Sequence, residues 1–263
     1  MKRSVSNPAI VRSILVSGLI LASLGGGRPA PAATDPHCST STLTVANGYT
    51  ASTYVIDDGS GRTHSINGFY EHVYRFPGPG VESVDLCYDA FFGIGAGGVQ
   101  TWCQSLAEAS VAYLDGGVLH TVQNFNGLRL DAYYFAPFQD VPDAGDLPGN
   151  LLVMLARLSN PGTAAVNGNR LFALLNFHTG AGRPEPGFQH EAIQWYGTES
   201  VFIEDSEDSG HIMAYRAMPA PDRHCTSTDT PGDNPWTIVN NGGALPNRDA
   251  IGAGQDRVCA YQW

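Results

Sequence analysis

Apolar and aromatic residues in this chain come in short runs separated by Gly, Pro, Asn and Asp, and within many runs they alternate with polar residues. A period of two marks strands with one buried face, and such punctuation marks turns. The densest stretch runs from Gly117 to Leu158. It contains GVLHTVQ, the turn Asn124-Phe-Asn-Gly127, LRLDAYYFAPF, an acidic proline-containing loop over 139–149, and NLLVMLARL. In the second arm Leu128, Leu130, Ala132, Tyr134 and Ala136 fall on one face, while Arg129, Asp131, Tyr133, Phe135 and Pro137 fall on the other. Both faces carry aromatics, so both require cover.

The same pattern predicts an all-β chain built as a large antiparallel two-sheet β-sandwich with few or no helices. A first hairpin is expected from Tyr49 to Ile56, with a turn at Asp57 to Gly61 and a return over Arg62 to Phe76. Val81 to Ala90 reads as a strand, and Phe91 to Gly98 (FFGIGAGG) as a glycine-rich turn. Trp102 to Leu114 suits either a helix or a strand. Leu151 to Leu158 is nearly all apolar and is expected at the centre of a sheet. Arg170 to Thr179 is expected to pair with it around Ser159 to Gly162. Ala192 to Glu204 and His211 to Met218 form a further expected pair around the acidic tip Glu204 to Gly210. Pro219 to Asn247 shows little periodicity, and Arg257 to Trp263 is a last strand, either tied into a sheet or truncated from something longer.

The N-terminus changes the picture of the compartment. Lys2, Arg3 and Arg12 precede or open the apolar run Ser13 to Leu24, and Pro29-Ala-Pro-Ala-Ala33 supplies small residues for cleavage. This is the layout of a bacterial-type signal peptide over residues 1–33, too short to span a bilayer. Residues 34–263 are then expected to form a single domain, secreted, periplasmic or at the cell surface, with no membrane span.

Charge follows from the same cut. Of fourteen basic residues four (Lys2, Arg3, Arg12, Arg28) lie in the leader, leaving ten Arg against twenty-five Asp and Glu, a net of -15. Such a surface repels phosphate backbones and argues against nucleic acid as a partner. With Lys2 the only lysine, Schiff-base and P-loop lysine chemistry is excluded from the mature protein.

All five cysteines lie beyond the cleavage point, in a compartment that favours disulfides. Two bridges among five allow fifteen pairings. The nearest in sequence are Cys87 with Cys103 and Cys225 with Cys259, each worth about 3 kcal/mol in the chain-entropy view; a bridge from Cys38 to Cys225 is the alternative.

Candidate chemistry is sparse. His37, Cys38, His224 and Cys225 offer two N and two S donors for zinc, but neighbouring side chains on extended backbone point to opposite faces. No metal site or other cofactor is therefore expected, calcium at the tips 57–61 or 204–210 being the alternative. No G-x-S-x-G elbow occurs, no carboxylate pair stands out, and no catalytic residue is assigned. Tyr133, Trp195, Tyr196 and Trp236 are the aromatics expected to bind a ligand, since the C–H face of a sugar stacks on such rings.

In order, LRLDAYYFAPF, the acidic loop, NLLVMLARLSNPG, RLFALLNFHTG and GAGQDRVCAYQW resemble the elements of the N-terminal β-sandwich, or supersandwich, of bacterial glucoamylase-like glycosidases. The resemblance covers most of Gly117 to Trp263. In that family the catalytic carboxylates belong to a helical barrel that follows the sandwich, so none is carried over. The resemblance implies a non-catalytic accessory module with a polysaccharide ligand. The competing expectation is a cell-surface structural or protein-interaction protein, with an autonomous hydrolase third.

Overall fold

The computed structural model describes residues 12–22, 42–46, 50–55, 68–75, 83–85, 87–103, 106, 108–114, 117–137, 151–177, 191–205, 211–228, 234–249 and 257–263. In chain order the strands are β1 (Arg12–Ala22), β2 (Thr42–Ala46), β3 (Thr50–Val55), β4 (Gly68–Arg75), β5 (Ser83–Asp85), β6 (Cys87–Ala96), β7 (Val99–Trp102), β8 (Glu108–Leu114) and β9 (Val118–Phe125). They continue as β10 (Leu128–Phe135), β11 (Leu151–Ser159), β12 (Arg170–Phe177), β13 (Glu191–Tyr196), β14 (Ser200–Asp205), β15 (His211–Met218) and β16 (Arg223–Thr228). Helix α1 (Pro235–Asn240) and β17 (Arg257–Gln262) complete the set. The fold is all-β, antiparallel and sandwich-like.

Two sheets carry these strands. The first has eight, in the order β13-β14-β15-β1-β11-β10-β9-β8. The second has nine: β16-β17-β12-β6-β4-β3-β2, with β5 on β4 and β7 on β6. Between them lies the main core. Leu128, Leu130, Ala132 and Tyr134 of β10 and Leu152, Met154 and Ala156 of β11 meet Ala90, Phe92 and Ile94 of β6, Leu171, Ala173 and Leu175 of β12, and Tyr261 of β17. Every second residue takes part, as the pleat requires.

The second sheet is apolar on its outer face as well. Phe91, Trp102, Phe172, Leu174, Cys225, Val258 and Ala260 form a smaller core there, closed by Val239 of α1 and by Leu245. Strands such as RLFALLNF therefore read as unbroken apolar runs because both faces are covered. Helix α1 is started by Asn234, whose side chain accepts from the Thr237 N–H at 2.9 Å, followed by Pro235 in the first turn. At its other end, Gln100 Nε2 donates to the carbonyls of Val239 at 3.1 Å and Gly243 at 2.7 Å. Arg170 Nη1 donates to the Oε1 of the same Gln100 at 2.6 Å. Both ends of this buried amide are thereby satisfied.

Several expectations hold. β3 pairs with β4 as the first hairpin, while its turn lies outside the described residues. β9 and β10 pair around Asn126 (φ 45°) and Gly127 (φ 83°), a two-residue turn with both positions left-handed. β11 lies inside its sheet between β1 and β10. Within the segment left open between helix and strand, Glu108 to Leu114 is strand, since β8 pairs along β9.

Others are corrected. Phe91 to Ala96 is strand rather than turn, and only Gly97 and Gly98 turn the chain into β7. Gly93 is small for a packing reason: a Cβ there would stand 2.7 Å from Cε3 of Trp102, which is fully buried against the strand. Arg170 to Thr179 does not pair with β11; the chain crosses to the other sheet and β12 pairs with β6 and β17. Two apolar runs in succession signal two buried strands, but not that they share a sheet. Ala192 to Glu204 is not one strand but the hairpin β13–β14, broken at Gly197 (φ 68°). The aperiodic stretch after Met218 contains β16 and α1. β17 is tied into the second sheet between β12 and β16.

The disulfide pairing is also corrected. Cys225 is opposite Ala260 and Thr226 is opposite Cys259, so the two cysteines are offset by one position on neighbouring strands. An offset of one puts them on opposite faces, and Cys225 lies in the outer core while Cys259 lies in the inner one. They cannot bridge. Trp102 is opposite Gly93 in the β6–β7 pairing, which sets Cys103 level with Phe92. Cys87 is five residues further along β6, about 17 Å away at strand rise, beyond the reach of a disulfide. No disulfide joins Cys103, Cys225 and Cys259. Cys38 lies outside the described residues.

The apolar run of the expected leader coincides with β1, whose backbone pairs with β11 on one side and β15 on the other. No helix among the described residues is long and apolar enough to cross a membrane.

Candidate functional site

The alternation that buries Leu128, Leu130, Ala132 and Tyr134 turns Arg129, Asp131, Tyr133 and Phe135 to the outer face of the first sheet. The two-residue turn fixes the register across the hairpin, so His120 stands opposite Tyr133 and Val122 opposite Asp131. The rings of His120 and Tyr133 stack in parallel, 4.4 Å apart with 3° between their planes. His120 Nε2 lies 3.0 Å from Asp131 Oδ1. Arg129 grips the same carboxylate side-on, with Nε 3.0 Å from Oδ2 and Nη2 2.7 Å from Oδ1.

The electrostatics are asymmetric. The side chain of Asp131 is 8% exposed, that of His120 18% and that of Arg129 43%. Burial pushes the Asp131 carboxyl upward, but hydrogen bonds and charge from Arg129 and His120 outweigh it and hold the group below its ordinary value. The ionised carboxylate raises Arg129 in turn, through its hydrogen bond first and its charge second. A carboxylate only accepts, so Nε2 of His120 carries the proton and donates it, and Nδ1 of a neutral ring presents a lone pair. Asp131 thus orients a histidine, as in acid–base dyads. No Ser, Thr or Cys side chain among the described residues bonds to His120, so the dyad has no adjacent nucleophile there.

The four aromatics expected to bind a ligand are not brought together. Tyr133 is half-buried in the group above. Trp195 is half-buried at the seam where β13 meets β16: its Nε1 donates to Thr226 Oγ1 at 2.7 Å, and its ring lies 5.5 Å from Tyr261 at 89° and 4.4 Å from His224 at 48°. Tyr196, the next residue, faces outward and is 52% exposed. It shares the outer face with Tyr133 but lies five strand positions away, about 24 Å at ordinary spacing. Trp236 sits on α1 beyond the other sheet, half-buried and 6.3 Å from Phe91.

The His-Cys pair at 224–225 behaves as adjacent strand residues must. His224 bonds to Asp249 at 2.7 Å, and Cys225 turns into the outer core. Among the described residues no group of three or more His, Cys, Asp or Glu is placed to hold a metal ion. His37, Cys38 and the tip 57–61 lie outside the described residues, as does most of the tip 204–210.

His120 is the site residue that sequence reasoning missed. The signal was present: with Asn126-Gly127 taken as a two-residue turn, Phe125 pairs with Leu128, and counting outward pairs His120 with Tyr133. No known protein family matches the chain, and no curated protein is significantly similar to it.

Proposed function

We propose that this protein is an exported, non-catalytic β-sandwich module that binds polysaccharide on the outer face of its first sheet, as an accessory module of glycosidase-like character. One observation carries the reading: Tyr133, His120, Asp131 and Arg129 form a preorganised group on a rigid hairpin, combining an aromatic ring with polar groups of fixed direction. Carbohydrate recognition uses that combination, because a sugar ring offers an apolar C–H face to stack and hydroxyls to orient. Export follows from the leader-like N-terminus.

The test is affinity electrophoresis of the folded chain in gels containing neutral and charged polysaccharides. Retardation by at least one polymer, lost in Tyr133→Ala with an unchanged melting temperature, is the expected result. Mobility unaffected by every polymer overturns the reading.

A second reading, a protein-interaction module, rests on the edge strand β8. Tyr113 and Leu114 there are 49% and 44% exposed, and the strand carries no Lys or Pro to blunt its edge. Cell-surface attachment that survives removal of glycans and disappears in Leu114→Lys would favour it.

A further inference from the structure

We infer that the ligand of this outer face carries a carboxylate, as an isolated uronic acid residue within an otherwise neutral polysaccharide. The inference rests on the polysaccharide reading and names the ligand more narrowly. The chain is strongly acidic, with a net charge of -11, yet on β10 and β11 two arginines, Arg129 and Arg157, flank the single carboxylate of Asp131. Asp131 is engaged by Arg129 through Nε and Nη2, which leaves Nη1 on a side chain that is 43% exposed. Arg157 of β11 stands directly opposite Asp131 on the other side. It is exposed and forms no ion pair or side-chain hydrogen bond with a described residue. Asp131 therefore neutralises one arginine, already in a fork geometry with it, and the charge of the second has no counter-charge paired with it among the described residues.

The register sets the grip. Arg129 is opposite Ser159, so Arg157 is its diagonal neighbour, about 7–8 Å away between backbones. Two guanidinium groups at that spacing suit one planar anion held between them, and a guanidinium edge matches a carboxylate with two parallel N–H···O bonds. Tyr133, two positions along β10 from Asp131, offers its ring beside that anion. The acidity of the whole chain works against a densely charged polymer, while screening over about 8 Å at physiological salt lets a local cationic pair act on one nearby anion. A sparse uronate satisfies both conditions.

The experiment measures binding of the full chain to glucuronoxylan, to the same polymer after chemical reduction of its carboxyl groups, and to a sulfated galactan. Glucuronoxylan should bind about tenfold more tightly than its reduced form, the size of one charge-assisted contact pair. Arg157→Gln should abolish that preference; since Arg157 has no side-chain partner among the described residues, the variant should keep the wild-type melting temperature. Equal binding of the native and reduced polymers overturns the carboxylate inference and leaves the polysaccharide reading standing. Binding confined to the sulfated polymer also overturns it, and failure of all three, with failure on neutral glycans, removes both readings.

Discussion

Thr226, rather than Cys225, faces Cys259 across β16 and β17, with Thr226 Oγ1 3.5 Å from Cys259 Sγ. The same Thr226 hydroxyl accepts the indole N–H of Trp195, so the pair sits at the junction of the two sheets. Peptide mapping of the unreduced protein should therefore yield no peptide joining Cys225 to Cys259. Recovery of such a peptide would mean that the β16–β17 register differs from the one described.

Gly93 should be intolerant of any side chain. A methyl group there meets the buried Trp102 ring at 2.7 Å. Gly93→Ala is expected to cost about 1–3 kcal/mol in urea unfolding, the usual range for overpacking. The double variant Gly93→Ala/Trp102→Leu should lose less than the sum of the single changes, because the clash is absent from it. Strict additivity would sink the packing explanation.

Asp131 should contribute acid-sensitive stability. Its folded carboxyl titrates below the ordinary 3.8, so in that region the unfolded chain binds more protons than the folded one. The contribution is present in full above about pH 5 and is lost as pH falls through the folded value. Urea unfolding of wild type and Asp131→Asn from pH 7 to pH 2.5 should show a stability gap that is constant near neutrality and narrows below pH 4. A gap that widens with acid would reverse the sign of the argument.

The leader and β1 make competing demands on Arg12 to Ala22, which is both the apolar run of the expected signal and a strand between β11 and β15. N-terminal sequencing of protein recovered outside the cytoplasm should begin near Thr34, in which case β1 belongs only to the precursor. A mature chain that begins at or before Arg12 would retain the strand and refute cleavage near Ala33.

Sequence alone determined the class and those elements whose pattern is local: the β9–β10 hairpin, β11, β12 and β17. Period-two alternation in LRLDAYYF, the Asn-Gly turn and the apolar runs of β11 and β12 each reflect forces acting within a few residues: pleat geometry, left-handed φ and burial. Those forces assign residues to strands and to faces. They do not assign strands to sheets, so the chain's crossing after β11 and the hairpin hidden in 192–204 needed the structure. The glycines of β6 read locally as a turn because what crowds them, the indole of Trp102 at Gly93 and the side chains of Arg170 and Gln100 at Gly95, lies on other strands. The Cys225–Cys259 bridge is excluded for a similar reason: a shift of one residue in register, invisible locally, reverses the face of a side chain. The candidate site lies between these limits. Tyr133, Asp131 and Arg129 were legible as one outward face of β10, but their partner His120 arrives through the hairpin register and Arg157 through a strand paired across a long loop. Tertiary structure alone decides which charges meet, because meeting is a property of registers and sheet order rather than of spacing along the chain.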